Sequence, residues 1–189
     1  MHIDLEIEKQ LISDIKKDPS RFGIIFDAYF SAIFNYVYHR VSDYALTSDI
    51  VSETFLKAFL NIHKYKWQGI SVSYWIYRIA ANEIRQYYRK KKYYPKSMEL
   101  LIDSSGWEML NNQSAKDEIE SLDMELELNL EVKRIQKNIQ KLPIIYQEIL
   151  ILRYFEQKKI KEVAVILNKN EGTIKSLLSR GIEKLKKWM

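Results

Sequence analysis

IKEVAVILNKNEGTIKSLLSRGIEKLKK, residues 160–187, decides the fold. Ile160, Val163, Ala164 and Leu167 recur at helical spacing and form one apolar side. Asn168–Gly172 is a tight connection, after which Ile174, Leu178 and Leu185 form the apolar side of a second helix. Ala164 is small where two crossing helices must approach closely. The sequence places Gly172 where a backbone open to glycine would help, and Thr173 where it can cap the helix behind it. Two short helices around such a turn are a helix-turn-helix. Glu171, Gly172, Thr173, Lys175, Ser176, Ser179 and Arg180 then lie at the start and outer side of the second helix. A recognition helix reads base edges from that position. Lys and Ser suit phosphate oxygens, and Arg can grip guanine through two hydrogen bonds. Taken singly, each of these residues is better explained as part of an ordinary solvated helix surface; the constellation is what points to DNA.

Working outward, Pro143 precedes a helical stretch over Ile144–Glu156, and Ile135, Ile139 and Leu142 extend the apolar spacing upstream. Toward the N-terminus, SRFGIIFDAYFSAIFNYVYHRV carries Phe22, Phe26, Phe30, Ile33, Val37 and Val41 three to four apart, predicting a helix capped by Ser20. Thr47 or Ser48 caps the next, with Ile50, Val51, Phe55, Phe59 and Ile62 as its buried side. Residues 5–17 also alternate at helical spacing. Gly69 marks a break, and a long helix runs from about Ser73 to Lys92 with Trp75, Ile76, Ile79 and Ala80 inward. No stretch alternates with period two for long enough to make a strand. The expected architecture is all-α, with two small helical domains at 1–94 and 131–189 joined by an acidic linker over 95–130.

Charge follows the same division. Residues 1–95 carry 14 basic and 10 acidic side chains, residues 96–131 carry 2 and 10, and residues 132–189 carry 14 and 5. Two basic blocks flank an acidic joint, and basic blocks favour polyanions. The joint is expected to avoid DNA and to fold back on the basic parts when DNA is absent. In the long N-terminal helix Arg78, Arg85, Arg89 and Lys92 share a face, interleaved with Tyr77, Tyr87, Tyr88, Tyr93 and Tyr94. Cations beside flat rings suit single-stranded DNA. A solvated basic face with tyrosines packed inward fits the same spacing.

SDIVSETFLKAF (48–59) and YWIYRIAANEIRQYYRKK (74–91) resemble region 2 of bacterial sigma factors, and LPIIYQEILILRYFEQKKIKEVAVILNKNEGTIKSLLSRGIEKLK (142–186) resembles region 4. Nothing between them resembles region 3, so the likeness is to the small two-domain extracytoplasmic-function (ECF) group. The resemblance implies a factor that binds core RNA polymerase and promoter DNA, with an anti-sigma factor as a further partner by family habit. It implies that Asp49, Ser52, Glu53 and Phe55 dock on polymerase. Asp49 and Glu53 lie four apart, so they can meet basic partners together. It implies that Asn82, Arg85, Arg89 and Lys92 meet the −10 strand, and that the Lys64–Val72 connection, with Trp67 and Gly69, captures a flipped base. Trp75 reads better as core than as a base platform. The −35 reader falls on the recognition-helix set from Glu171 to Arg180. Ser52, Ala81, Gln147, Lys169, Leu177 and Gly181 depart from the family pattern. About 35 linker residues at roughly 3.3 Å each can span about 115 Å, against about 70 Å between sites two helical turns apart.

The competing reading is a conventional helix-turn-helix regulator with a helical dimerisation or sensor domain. Catalysis finds little support. There is no GxxxxGK loop, no cysteine, and His2, His39 and His63 lack metal-ligand spacing. The acidic cluster at 117–131 reads as a solvated helix rather than a metal site. No catalytic residue, metal or cofactor is expected. No apolar run is long enough to cross a bilayer and no signal peptide is visible, which makes a cytoplasmic protein the simplest expectation.

Overall fold

The computed structural model describes residues 3–93 and 134–187, and among these all regular structure is helical. The proposed acidic joint lies outside the described residues. The N-terminal unit comprises α1 (Leu5–Ile15), α2 (Phe22–Val41), α3 (Tyr44–Asn61) and α4 (Val72–Tyr93). The C-terminal unit comprises α5 (134–140), α6 (Ile144–Leu150), α7 (Ile160–Leu167) and α8 (Glu171–Lys186). No described helix is long and apolar enough to cross a membrane.

The helix starts correct three expected caps. Asp18, not Ser20, accepts from a backbone N–H ahead of α2, leading a 3₁₀ turn at Pro19–Arg21. Asp43 caps α3 through Leu46 N at 2.8 Å, while Thr47 is buried inside the helix and donates its hydroxyl to Asp43 O. In the helix-turn-helix Asn170 caps α8 by accepting from Thr173 N at 2.7 Å. In each case an Asp or Asn stands directly ahead of the first turn and accepts from one of its free N–H groups, so position rather than residue type displaced the expected cap. The left-handed residue of that turn is Asn168, at φ 53°, and Gly172 lies within α8.

Burial on α2 also differs from the expected stripe. Ile25, Tyr29, Ile33, Tyr36, Val37 and Arg40 are buried, whereas Phe26 and Phe30 are 38% and 36% exposed. Phe59 of α3 is exposed in the same way. In the C-terminal unit the expected helix over Ile144–Glu156 begins as α6 and ends in a π-helical turn, Ile151–Phe155, closed by Glu156 N to Ile151 O at 3.0 Å. One extra residue per turn re-aims the side chains beyond it, and here it points Glu156 at the N-terminal unit.

Three departures from the family pattern have local roles. Gln147 donates to the carbonyls of Gln140 and Leu142, satisfying the free end of α5. Ala81 is fully buried. Gly181 is buried, and a Cβ there would stand 3.3 Å from Tyr146 Cδ1 and 3.6 Å from Leu150 Cδ1, so glycine lets α8 lie close to α6. Gly181→Ala is expected to be near neutral, because a helix-propensity gain of about 1 kcal/mol is offset by displacing the Tyr146 ring. Gly181→Leu should lower the melting temperature clearly, and a thermal unfolding series checks both.

Candidate polymerase and nucleic-acid interfaces

Helix α8 presents outward the residues the sequence singled out. Glu171, Gly172, Lys175, Ser176, Ser179 and Arg180 are exposed, and Thr173 is half-buried. Ile174 seals the opposite side at 1% exposure, with Leu177, Leu178 and Leu185 partly buried against the core. Positive side chains therefore project from one edge of a helix anchored by its other edge. Lys169, the charged departure in the turn, is exposed beside them.

The basic face of α4 is less available than its sequence suggested. Arg85 donates Nε to Glu148 Oε1 at 2.7 Å and Nη1 to Asn82 Oδ1 at 2.6 Å. Arg78 donates to the carbonyls of Val165 and Ile166, at 2.6 and 3.3 Å, where α7 ends. A cation at a helix C-terminus meets the negative end of its dipole. Tyr77 is core rather than base platform, at 1% exposure, and its hydroxyl donates to Glu156 Oε2 at 3.0 Å. His39 lies 3.4 Å from the other oxygen of Glu156 and packs on Phe155. Tyr74 donates to Glu162. Burial opposes ionisation of Glu162, but the Tyr74 hydroxyl and the Lys159 N–H outweigh it and hold the carboxyl below its usual range. At the centre, Arg40 has a fully buried guanidinium 3.9 Å from Glu148, whose side chain is 2% exposed. The C-terminal unit thus sits on α4 and the end of α2. Asn82 and Arg89 remain exposed, and the side chain of Lys92 lies outside the described residues.

The loop between α3 and α4 passes through a 3₁₀ turn at Ile62–Lys64 and reaches φ 71° at Gly69, a left-handed conformation that glycine adopts without strain. Trp67 is half-buried on it. Two clefts flank it. One, of about 420 Å³, is lined by Lys57, Asn61, Tyr65, Trp75, Asn82 and Glu83. The other, of about 350 Å³, includes Lys64, Gln68, Ser71, Tyr74 and Arg78. Trp75 is half-buried and packs its ring 5.0 Å from that of Tyr65, so it walls both clefts rather than disappearing into the core.

On the far side of the N-terminal unit, α2 and α3 meet along a row of rings: Phe22 on Phe59 at 5.3 Å, Phe26 on Phe55 at 4.8 Å, and Phe34 on Tyr44 at 5.4 Å. Beside this seam Leu56 and Leu60 are 51% and 56% exposed. Asp49 and Ser52 are exposed, as is Glu53, which pairs with Lys57 at 3.1 Å. Phe55 is the exception among the expected docking residues: at 4% exposure it supports the surface from beneath. Sequence reasoning missed Phe26, Phe30, Leu56 and Leu60; an apolar residue beside Ser52, Glu53 and Lys57 was a usable signal for the two leucines, whereas α2 is apolar almost all round and offered none for the two phenylalanines.

Residues 25–93 match the family Sigma-70 region 2, and residues 133–185 match Sigma-70, region 4. The ECF RNA polymerase sigma factor SigW of Bacillus subtilis (strain 168) is 32% identical over 189 residues, covering 98% of this chain and 97% of its own. Among solved structures, CnrH in complex with the cytosolic domain of CnrY superposes with a TM-score of 0.66 at 16% identity, covering 97% of this chain and 96% of that one. RpoE of Bartonella quintana, in complex with the anti-sigma factor NepR, gives 0.64 at 20% identity over 88% and 95%. These likenesses establish the fold, and the family rests on the two matched regions and the relative aligned along nearly its whole length. The chain belongs to the ECF group of the sigma-70 family of RNA polymerase sigma factors.

Proposed function

We propose that this chain binds core RNA polymerase and directs it to promoters. The exposed α2–α3 face docks on polymerase, with Asp49, Ser52 and Glu53 at its charged edge. Asn82, Arg85, Arg89, Lys92 and the loop carrying Trp67 engage the −10 strand. Glu171, Gly172, Thr173, Lys175, Ser176, Ser179 and Arg180 read the −35 duplex. The observation that carries this reading is the pairing of two unlike surfaces in one chain. One is an apolar, acid-edged face suited to a protein; the other is a polar, basic helix edge suited to DNA. An anti-sigma factor is included among the proposed partners on family habit alone.

DNA engagement by Arg85 requires release from Glu148, so polymerase binding and the parting of the two units are one process in this scheme. Run-off transcription by core polymerase, with and without the chain, on a pool of random promoters tests the reading. Enrichment of a two-part promoter only when the chain is present is the expected result. Lys175→Ala combined with Arg180→Ala should lower output at that promoter about tenfold or more, since each lost contact is worth about 1–3 kcal/mol. Equal output with and without the chain would refute the proposal.

A further inference from the structure

Helix α1 precedes the region matched to the family and carries none of the polar groups given a polymerase or DNA role. It nevertheless holds both ends of the α3–α4 loop. At the far end, the Glu8 side chain is fully buried, and an isolated carboxylate there would be strongly disfavoured. It is fully engaged instead. Oε2 accepts from Val72 N, the first residue of α4, at 3.0 Å. Oε1 accepts from Ser71 Oγ at 3.1 Å and from the Tyr29 hydroxyl. Ser71 Oγ in turn lies 2.8 Å from Ser73 Oγ and accepts from Ser73 N at 3.2 Å. At the near end, Lys16, just past the last turn of α1, donates Nζ to Tyr65 O at 2.7 Å. The Tyr65 ring lies on Trp75, the wall shared by both clefts.

The loop is therefore clamped at Tyr65 and at Ser71–Val72 by charges from one rigid element outside it. Between the clamps lie Trp67 and the left-handed Gly69. A loop fastened only by its own termini would leave the clefts to form on demand, and ordering it at the moment of binding would weaken recognition. We infer that Glu8 and Lys16 are positioning residues that brace the loop from α1, so that the clefts taking an unpaired base are shaped before DNA arrives. The inference rests on the proposed −10 role of the loop.

Lys16 is exposed, so Lys16→Met removes the near clamp with little risk to the fold, and Lys16→Arg keeps a donor. Glu8→Gln tests the far clamp. Three measurements separate the outcomes, on the full chain and on its assembly with core polymerase. The first is the rate of tryptic cleavage at Lys64 and Lys66, which reports the loop without DNA. The second is binding of the assembly to single-stranded −10 oligonucleotides, each base varied in turn. The third is affinity for core polymerase. For Lys16→Met the cleavage rate should rise, the ratio between best and worst base should fall about fivefold or more, and polymerase affinity should be unchanged. Lys16→Arg should restore both loop readouts. Glu8→Gln should move them further, with some loss of thermal stability.

An unchanged cleavage rate in both Lys16→Met and Glu8→Gln would overturn the brace. Faster cleavage with base discrimination intact would overturn its role in shaping the clefts. Failure of the −10 reading itself has a different signature: the unaltered chain and Trp67→Ala would show the same base preferences.

Discussion

Glu148→Ala is expected to part the N-terminal and C-terminal units, raising the radius of gyration in small-angle scattering. Glu148 lies between two guanidinium groups, Arg85 at 2.7 Å and the buried Arg40 at 3.9 Å. Arg40 nitrogens have no hydrogen-bond partner among the described residues, so this carboxylate is the counter-charge that makes their burial tolerable. Removing one member of a buried ion pair costs about 3–5 kcal/mol, chiefly because the other is left uncompensated. Parting the units relieves that cost by opening Arg40 to water, where Arg85, 41% exposed, already stands. What remains of the polar contact is the Tyr77–Glu156, His39–Glu156, Tyr74–Glu162 and Gln140–Ser42 hydrogen bonds, Lys158 over the Tyr77 ring, and the grip of Arg78 on two carbonyls. Each is worth about 0.5–3 kcal/mol at most. The compensated variant Arg40→Met with Glu148→Leu should stay closed, since a buried pair can be replaced by apolar groups of similar volume. Non-additivity between the single and double changes measures the coupling directly. If Glu148→Ala leaves the scattering profile as compact as before, the central ion cluster is not what holds the units together.

The same interface gives a sign for pH. Glu162 has its carboxyl held below the ordinary 4.5. A depressed carboxylate stabilises the closed form above its unfolded value and loses that contribution as pH falls through its lowered folded value. Closure should therefore weaken in acid, below about 4.5, rather than in base.

The helices were legible in the sequence because their apolar residues recur at 3.6-residue spacing, and the exposed side of α8 was legible because its apolar residues fix which side is inward. Other features depended on distance. Helix α2 is apolar almost all round, so between Phe22 and Ile33, both buried as expected, Phe26–Phe30 and Ile25–Tyr29 are equally good continuations by spacing. Only the placement of α3 and α4 chose the second. Glu8 read as one more charge on an N-terminal helix, because its partners lie 21 and 63 to 64 residues away. Arg85 read as a free cation on a DNA face because nothing local reveals that Glu148 will meet it. Buried charges are specified by tertiary packing, and no window of sequence contains both halves of such a pair.

Leu56→Asp combined with Leu60→Asp should abolish association with core polymerase while leaving the fold intact. Both side chains are more than half exposed, so their loss removes little core. Helix propensity, the like charges four apart and the position of residue 60 in the last turn of α3 together cost about 1–2 kcal/mol, small beside the binding loss expected. They continue the line of Asp49 and Glu53 along α3 and border the ring seam of Phe26, Phe30 and Phe59. Apolar groups left this exposed among the described residues suit the role of anchors buried by another protein. Truncating an anchor costs about 2 kcal/mol or more, roughly a thirtyfold loss each. A carboxylate in the same position must also be desolvated, so the paired change should bring binding below detection in a pull-down or interferometry assay. Ile7→Asp, on α1 and 63% exposed, supplies the control: an equal apolar-to-acidic change away from the seam should bind normally. Phe55→Ala supplies the contrast. Its ring is buried, so truncation should cost about 3–5 kcal/mol of stability and reduce binding only as the fold loosens. Loss of binding with only a small shift in melting temperature at Leu56 and Leu60, and loss only together with melting at Phe55, would separate the residues that touch polymerase from the residue that holds them up. Normal binding by the Leu56→Asp, Leu60→Asp chain would move the docking surface off this face altogether.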